Sequence, residues 1–333
     1  GPLVKILQAS GSKHIKLNVA SKNPITIWLN SQKIAKIIDE EKIDIIHARS
    51  RAPAWTCFMA AKATGIKLVT TFHGVYNFHT KIKKFYNSIM TEGAVVIAVS
   101  QFVKEHIIKN YKVDPKKIVL IHRGVDYREF TKDKVNEDVL LKYRTKYNVP
   151  ANAPVILLPA RMTEWKGQLV LVEALSKIKH LNFYCIMTGD LAKHPLYVQR
   201  VASLINKNKM QHKIQIFGSE PNIVNLYGIA DIVVSASIEP EAFGRTIIEA
   251  QSMEKLVIAT NIGGAAETIE NEKTGFHVEP ADSQQLADKI EYCLSMLGTG
   301  KAKEIGAAAR KSTIENFSLE VMLGKVMSIY KNM

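Results

Sequence analysis

The sequence predicts an α/β protein with two domains, each built on a parallel sheet that helices cover. Short β-branched runs alternate with amphipathic stretches along the whole chain, a pattern typical of parallel sheets flanked by helices. The 333 residues exceed the length at which one hydrophobic core usually stops growing, so two cores are expected. Hydrophobic residues make up 47% and charged residues 23%, which indicates a folded chain rather than a disordered one.

The predicted strands are nine short apolar runs. Four lie in the first half, at residues 44–47, 67–72, 95–99 and 118–121. Five lie in the second half, at residues 155–158, 183–187, 213–217, 231–235 and 256–259. The runs are short and rich in Val and Ile, which favours strands over helices.

Two further stretches divide the chain. Residues 147–154 hold two prolines and no helical period, which indicates a linker. Residues 318–330 begin with an N-capping serine and continue with helical spacing. We therefore predict a first domain over residues 1–148, a second over residues 149–317, and a terminal helix over residues 318–333 that can pack back on the first domain.

The net charge of +14 belongs to the first half of the chain. Residues 1–150 hold 26 Lys and Arg against 12 Asp and Glu, whereas residues 151–333 hold 19 of each kind. This imbalance predicts an acidic partner: an anionic membrane surface, a phosphorylated lipid, a polyanionic glycan or nucleic acid. A solvated Lys-rich face is the alternative. No nucleic-acid partner is expected, because the basic half lacks interleaved exposed aromatics and any known reading motif.

Several classes of protein are disfavoured by what the sequence lacks. No apolar run approaches the ~18 residues of a membrane-spanning helix, and residues 1–12 do not resemble a signal peptide. The cysteines are far apart and odd in number, so we expect reduced core residues: Cys57, Cys185 and Cys293. The ten histidines are scattered, so no metal site is expected. We expect a cytoplasmic protein, peripheral on the inner face of the membrane where its basic half meets anionic lipid.

The strongest motif spans residues 235–251 and reads SASIEPEAFGRTIIEAQ. A predicted strand ends there, a loop follows, and a helix begins after Phe243 and Gly244. Ligands of open parallel sheets bind beyond the carboxyl ends of the strands, and a helix start offers N–H groups to a phosphate. Glu241 and Glu249 can each accept hydrogen bonds from the vicinal hydroxyls of a sugar or a ribose. The alternative is one glutamate that favours the helix dipole and one solvated helix glutamate.

A second motif spans residues 158–168 and reads LPARMTEWKGQ. Arg161 follows a predicted strand, and Lys166 lies in a turn before a predicted helix. Two cations at this edge of the sheet suit a diphosphate, because they supply the charge neutralisation that a divalent metal supplies elsewhere. The alternative is an ordinary pair of surface cations.

The two motifs together closely resemble the donor signature of the retaining GT-B glycosyltransferases of family 4, carried here by Arg161, Lys166, Glu241 and Glu249. Residues 239–245 and 259–267 are similar to the bacterial lipopolysaccharide and capsular polysaccharide branch of that family. The resemblance covers nearly all of the chain. It implies two Rossmann-like domains with doubly wound parallel sheets, which face each other across a cleft.

The resemblance also implies roles for residues of the second half. Arg161 and Lys166 would hold the donor diphosphate. Glu249 would hold the ribose hydroxyls, and Glu241 a hydroxyl of the donor sugar. Ser219 would face the nucleobase. Consecutive loop residues would complete the donor cradle: Ala242, Phe243, Gly244 and Arg245.

In the first half, the resemblance implies that His73 lies close to the transferred sugar. The expected catalytic residues are therefore His73, Glu241, Arg161 and Lys166. A histidine at a strand end is otherwise structural or solvated. Three arginines are expected to receive an acidic acceptor: Arg49, Arg51 and Arg123. The glycine pair at residues 263–264 either belongs to the site or allows a tight turn.

The N-terminal residues depart from the family pattern. Relatives open with a strand and a glycine-rich loop, whereas residues 1–11 align best with the end of the helix that follows that loop. Residues 4–7 and 14–19 could each be taken for a strand, but residues 10–12 make a poor phosphate loop. We therefore expect the first domain to lack its first strand, glycine-rich loop and helix, which puts the catalytic competence of this form in doubt.

The resemblance implies transfer of a hexose from a UDP- or GDP-sugar to a hydroxyl of a cell-surface glycan or lipid-linked acceptor, with no cofactor and no metal. Retention at the anomeric carbon follows from the resemblance alone. Polysaccharide or lipopolysaccharide biosynthesis is the expected process. Two alternatives stay open: a catalytically impaired protein that binds nucleotide sugars or polyanions, and a nucleotide-sugar epimerase of the same architecture.

Overall fold

The computed structural model describes residues 2–333, which form two compact units. The first unit holds the residues up to 98, residues 106–119 and residues 329–333. The second holds residues 99–105 and 120–328. Residues 120–148, assigned to the first domain by the sequence analysis, thus lie in the second compact unit. The division into domains at residues 148 and 317 stays a prediction.

The first unit is built on a four-stranded sheet. Its strands are β1 (Ile45–Ala48), β2 (Lys67–Phe72), β3 (Val95–Ala98) and β4 (Ile118–Leu120), in that spatial order. The pairs β1–β2 and β2–β3 are parallel. The helices of the first 119 residues are α1 (Pro2–Ala9), α2 (Pro24–Glu40), α3 (Arg51–Thr64), α4 (Lys81–Ser88) and α5 (Gln101–Tyr111).

Helix α2 shows how the sequence sets these boundaries. The Asn23 side chain accepts hydrogen bonds from the backbone N–H groups of Ile25 and Thr26, and Pro24 occupies the first turn. Helix α3 ends at Gly65, whose φ of 76° is the left-handed conformation that closes many helices.

The second unit is built on a six-stranded parallel sheet. Its strands are β5 (Val155–Pro159), β6 (Tyr184–Thr188), β7 (Ile214–Phe217), β8 (Ile232–Ser235), β9 (Leu256–Thr260) and β10 (Phe276–Val278). The spatial order is β10-β9-β8-β5-β6-β7, so the sheet is doubly wound. The chain moves outward from β5 through β6 to β7, then returns to the other side of β5 to form β8. Strands β5 and β8 therefore flank the point where the winding reverses.

Helices cover both faces of this sheet. They are α6 (Glu137–Lys146), α7 (Gln168–Lys177), α8 (Pro195–Lys207), α9 (Ile223–Ile229), α10 (Arg245–Ser252), α11 (Ser283–Met296) and α12 (Gly300–Phe317). The last helix is α13 (Leu319–Lys331), whose residues from Ile329 on belong to the first unit. Along β5, Ile156 and Leu158 enter one hydrophobic cluster while Val155 and Leu157 enter the other. Every residue of β5 is buried, as expected for the central strand of a covered parallel sheet.

The predicted α/β fold with two parallel Rossmann-like sheets is confirmed. All nine predicted runs form strands, within a residue or two at each end. Strand β10 was not predicted, because its three residues lie apart from any longer β-branched run. Residues 4–7 lie in helix α1 rather than in a strand, which agrees with the alignment of the N-terminal residues to the end of a helix, and residues 14–19 form no strand. Cys57, Cys185 and Cys293 are free cysteines, the last two fully buried. Among residues 2–333, no helix has both the length and the apolar character needed to cross a membrane.

Candidate functional site

The two sequence motifs meet at the winding reversal of the second sheet. Arg161 lies just after β5, and Glu241 lies in the loop after β8. Because β5 and β8 are parallel neighbours, the carboxyl ends of both strands open at the same edge of the sheet. The site is therefore where doubly wound sheets hold their ligands.

The loop after β5 is pressed against the end of β8. A Cβ atom on Gly167 would lie 1.8 Å from the carbonyl oxygen of Ala236, and Gly167 has a φ of 70°. Only glycine fits such a close approach in that conformation. The fully buried Gln168 secures the loop, since its side-chain amide donates to the Arg161 carbonyl at 2.9 Å while its oxygen accepts from the Tyr197 hydroxyl at 3.0 Å.

Lys166 and Glu241 form a largely buried ion pair. Lys166 Nζ lies 2.6 Å from Glu241 Oε1, and each side chain is 11% exposed. The Ser237 hydroxyl donates to the same carboxylate oxygen. Burial lowers the pKa of Lys166, and the charge of Glu241 opposes that change. A lysine and a glutamate from two separate motifs are thus in direct contact, where water screens their electrostatic interaction only weakly.

Arg161 and Lys166 both form cation–π contacts with one aromatic ring. The Arg161 guanidinium lies 5.1 Å from the centre of the Trp165 ring, and the Lys166 ammonium lies 4.4 Å from it. The charge of Arg161 contributes to the lowered pKa of Lys166. Arg161 itself is exposed. The structure therefore brings the two predicted cations together, with one open to solvent and one largely buried.

The glycine pair at residues 263–264 supports the loop that carries Glu241. The backbone N–H of Gly264 donates to the Glu241 carbonyl at 2.7 Å. A Cβ atom on Gly263 would lie 2.6 Å from that carbonyl oxygen, and one on Gly264 would lie 2.2 Å from the carbonyl oxygen of Ala242. These glycines let the turn after β9 lie directly on the loop after β8.

Glu249 is a buried acid, so the alternative of a solvated helix glutamate is wrong for it. It is 8% exposed, although it lies inside helix α10. Its carboxylate accepts hydrogen bonds from the Tyr227 hydroxyl and from the Arg245 guanidinium, both at 3.0 Å. Burial raises the pKa of Glu249, while Arg245, Tyr227 and the charge of Arg123 act in the opposite direction.

The rest of the predicted donor cradle surrounds the start of α10. Gly244 stands at the N-terminal cap, with no side chain bonded to the first turn. The buried ring of Phe243 packs on His122 and Phe317, with ring centres 5.8 Å apart in each pair. Ala242 is held through its contact with Gly264.

Ser219 is exposed after β7, and the residue beside it was missed by the sequence analysis. Glu220 accepts hydrogen bonds from Lys146, the Tyr147 hydroxyl and the backbone N–H of Asn222. Burial opposes ionisation, but these hydrogen bonds outweigh it and lower the pKa of Glu220 to about 2. The glutamate therefore fixes the turn that carries Ser219. No spacing in the sequence links residues 146 and 220, so only the fold reveals the cluster.

In the first unit, the structure places Arg49 beside His73 and Arg51 beside Tyr76 and Asn87. Arg49 Nε donates to His73 Nε2 at 3.2 Å. Arg51 donates to Asn87 at 2.8 Å and lies 4.4 Å from the centre of the Tyr76 ring. Its guanidinium is thus engaged in packing. Arg123 belongs to the second unit.

A cleft of about 900 Å³ opens beside Arg161 and Trp165. Three cations line it together with a tyrosine and a histidine: Arg161, Lys193, Arg200, Tyr197 and His194. Its volume is that of a small-molecule site. Within residues 2–333, no three His, Cys, Asp or Glu side chains gather in a way that could hold a metal ion.

Two Rossmann-like parallel sheets, with cations and acids at the winding reversal of the second, define a protein of the GT-B class. The chain belongs to the family described as glycosyl transferases group 1, whose model matches residues 141–312. A second model, described as Glycosyltransferase Family 4, matches residues 9–129.

The chain is similar to three other proteins in sequence, in fold or in both. The chain is similar to a glycosyltransferase from Rickettsia africae ESF-5, at 57% identity and a TM-score of 0.94, over 100% of this chain and 88% of that one. It resembles Anabaena HepE, solved in complex with UDP-glucose, at 23% identity and a TM-score of 0.85, over 100% and 90% of the two chains. That likeness shows the fold alone. N-acetyl-alpha-D-glucosaminyl L-malate synthase of Bacillus anthracis is 24% identical over 308 residues, 90% of this chain and 77% of the relative.

Proposed function

We propose that the protein is a retaining hexosyltransferase that moves a sugar from a UDP-sugar to a hydroxyl of a cell-surface glycan or lipid-linked acceptor, without a metal ion. One observation carries the proposal. The largely buried pair of Lys166 and Glu241 stands at the carboxyl ends of β5 and β8, with Arg161 on the same indole ring as the lysine.

The ion pair would exchange partners when the donor binds. Without donor, Lys166 and Glu241 neutralise each other. A diphosphate brings negative charge to Lys166 and Arg161, which leaves Glu241 to accept a hydrogen bond from a hydroxyl of the donor sugar. Every buried charge keeps a partner through the exchange, which avoids the large penalty of an unpaired ion.

The two cations would also lower the barrier to transfer. The bond between the anomeric carbon and the diphosphate oxygen breaks, and negative charge grows on that oxygen. Arg161 and Lys166 are positioned beforehand to stabilise it. The acceptor hydroxyl forms the new bond to the anomeric carbon, and its proton passes to the leaving phosphate. In the first unit, His73 and Arg49 are proposed to contact the transferred sugar and the acceptor.

The ribose is proposed to bind at Glu249. Its carboxylate is already oriented by Tyr227 and Arg245, and each carboxylate oxygen retains a second lone pair for a ribose hydroxyl. A uridine base is supported by HepE, which was solved with UDP-glucose. The name of the Bacillus anthracis relative makes an N-acetylglucosaminyl donor the second sugar to test. A polysaccharide or lipopolysaccharide acceptor is supported by the motif at residues 239–245.

We expect Lys166→Ala and Glu241→Ala each to reduce transfer by about a hundredfold or more, because each removes charge from the reacting centre. Glu164→Ala is the matched control, since this acid lies between Arg161 and Lys166 in sequence but is 63% exposed and pairs with Arg200. Donors are first screened by thermal shift with UDP-glucose, UDP-N-acetylglucosamine and GDP-mannose. Transfer is then measured with EDTA present, where activity is expected to persist.

Three results would count against the proposal. Equal transfer by all three variants would remove the residue assignment. Loss of activity with EDTA, restored by a divalent ion, would remove metal independence. Isomerisation of the donor sugar without any acceptor would favour an epimerase.

A further inference from the structure

An apolar face on the first unit points away from the protein. Five large hydrophobic side chains on α2 and α4 are between 48% and 82% exposed. We call them the α2–α4 face: Ile25, Trp28, Leu29, Ile82 and Phe85. Scattered exposed hydrophobic residues are common, but a contiguous group on adjacent helices marks a site of interaction.

Helix α4 carries a polar residue on its buried side and apolar residues on its exposed side. Asn87 is fully buried and so marks the side of the helix that faces the protein. At 100° per residue, Ile82 and Phe85 lie about 140° and 160° around the helix from Asn87. The outward side is therefore apolar. Lysines stand on both sides of it at positions 81, 83 and 84.

The first half of α2 has the same arrangement. Ile38 is buried and marks the inner side of this helix. Ile25 and Leu29 lie about 140° and 180° around the helix from it. Trp28 lies about 80° around the helix from Ile38, at the border of this stripe beside Ile25, and is 52% exposed. The apolar stripe thus faces outward here as well.

Helices α2 and α4 both pack on α3. Lys22, just before the cap of α2, places its ammonium 5.7 Å from the centre of the Tyr86 ring on α4. Phe85 and Tyr86 both pack on Trp55 of α3, with ring centres 5.5 and 6.4 Å away. The apolar stripes of α2 and α4 therefore belong to one surface.

The two stretches of sequence that carry the exposed residues of this surface hold charges of a single sign. No Asp or Glu occurs between Asp44 and Glu92, and none occurs before Asp39. The interval from Asp44 to Glu92 holds seven Lys and Arg. A second copy of the same surface would be repelled by like charge. A surface with negative charge would be attracted. If that surface covers an apolar layer, as in a lipid bilayer, the exposed hydrophobic side chains of the α2–α4 face can enter the layer.

We propose that the α2–α4 face is a docking surface for an anionic lipid bilayer. Ile82, Phe85 and Ile25 enter the boundary between headgroups and acyl chains, while the flanking lysines contact lipid phosphates. The inference goes beyond the proposed transfer reaction, because docking requires neither donor nor acceptor. A failure of one proposal therefore leaves the other intact.

Flotation with vesicles tests the docking surface directly. The full chain is mixed with phosphatidylcholine vesicles that contain or lack phosphatidylglycerol, at low salt and at about 0.5 M salt, where charge attraction is strongly screened. We expect binding only to the anionic vesicles, weakened by salt. Ile82→Ser/Phe85→Ser and Lys81→Ser/Lys83→Ser should each lower the partition coefficient about tenfold or more. In Phe85→Trp, tryptophan emission should shift to the blue when anionic vesicles are added.

Matched controls lie on the second unit. Leu141→Ser/Leu196→Ser removes two equally exposed apolar side chains, and Lys301→Ser/Lys303→Ser removes two exposed lysines of the same spacing. Neither pair should change vesicle binding, and all four double variants should keep the parent unfolding temperature. Equal binding to neutral vesicles, or equal losses in the controls, would overturn the proposal. So would self-association of the parent chain that Ile82→Ser/Phe85→Ser abolishes, if no vesicle binding is found.

Discussion

A single buried carboxylate, Glu249, illustrates how the site uses ionisable groups. Taking an acid out of water raises its pKa, and a helix interior offers it no backbone donor. Here the Tyr227 hydroxyl and the Arg245 guanidinium supply the missing hydrogen bonds. Tyr227 is itself fully buried. Its hydroxyl therefore orients Glu249, and under the proposed function the tyrosine is a positioning residue for the ribose.

Tyr227→Phe should weaken donor binding more at low pH than at high pH. The hydroxyl lowers the pKa of Glu249, so its loss raises that pKa further and protonates the acid over a wider range. Stability should fall by about 1–3 kcal/mol, the cost of leaving a buried polar group short of a partner. Calorimetric titration of the donor across pH and urea unfolding measure the two effects. Tyr292→Phe, at an exposed tyrosine of α11, is the control. A pH-independent change in donor affinity would contradict the positioning role.

At the scale of elements, the site depends on close contact between three backbone segments. The loops after β5 and β8 touch at Gly167, and the turn after β9 touches the second loop at Gly263 and Gly264. Side chains at these points would push the segments apart. The geometry of the Lys166–Glu241 pair therefore rests on the absence of side chains at these glycines.

Gly167→Ala should unfold the site or destabilise the second unit by about 3 kcal/mol or more. The added methyl group would collide with the Ala236 carbonyl, and the residue would keep a φ that alanine tolerates poorly. Gly324→Ala is the matched control, because that glycine lies inside α13 with open space around it. This control should gain up to about 1 kcal/mol from helix propensity. Thermal unfolding of both variants and the parent protein tests this prediction. If Gly167→Ala were as stable as the parent, the loops could move apart without a loss of free energy.

The elements that the sequence predicted well are those that follow local rules. Nine strands could be predicted because β-branched runs recur at regular intervals. The location of the site at the carboxyl ends of the strands could be predicted from the alternation of strands and helices. Strand β10 and the Glu220 cluster could not, since the first is three residues long and the second joins residues 74 apart. The contacts of Arg51 with Tyr76 and Asn87 likewise depend on tertiary structure alone, and its role toward an acceptor stays a prediction.

At the scale of the whole molecule, the two units differ in how their charged residues are distributed. The first unit carries the excess of basic residues, with no Asp or Glu in residues 1–38 or 45–91, whereas the second balances its charges and buries several of them in pairs. Buried pairs couple folding to pH. Glu220 and Glu267 both have a lowered pKa in the folded protein, so the folded state holds fewer protons than the unfolded state in acid.

The stability of the second unit should therefore decline as pH falls from about 4.5 to about 2. The stabilisation from Glu220 is fully present above the pKa of an unfolded glutamate, and it is lost as pH approaches its folded pKa of about 2. After allowance for solvent screening, it amounts to about 2 kcal/mol. Glu220→Gln should lower stability at pH 7 and flatten the acid limb of the pH profile, whereas Glu239→Gln, at an exposed loop position, should leave both unchanged. Urea unfolding from pH 7 to pH 2 measures this, and a parallel acid limb in parent and Glu220→Gln would locate the acid sensitivity in other carboxylates.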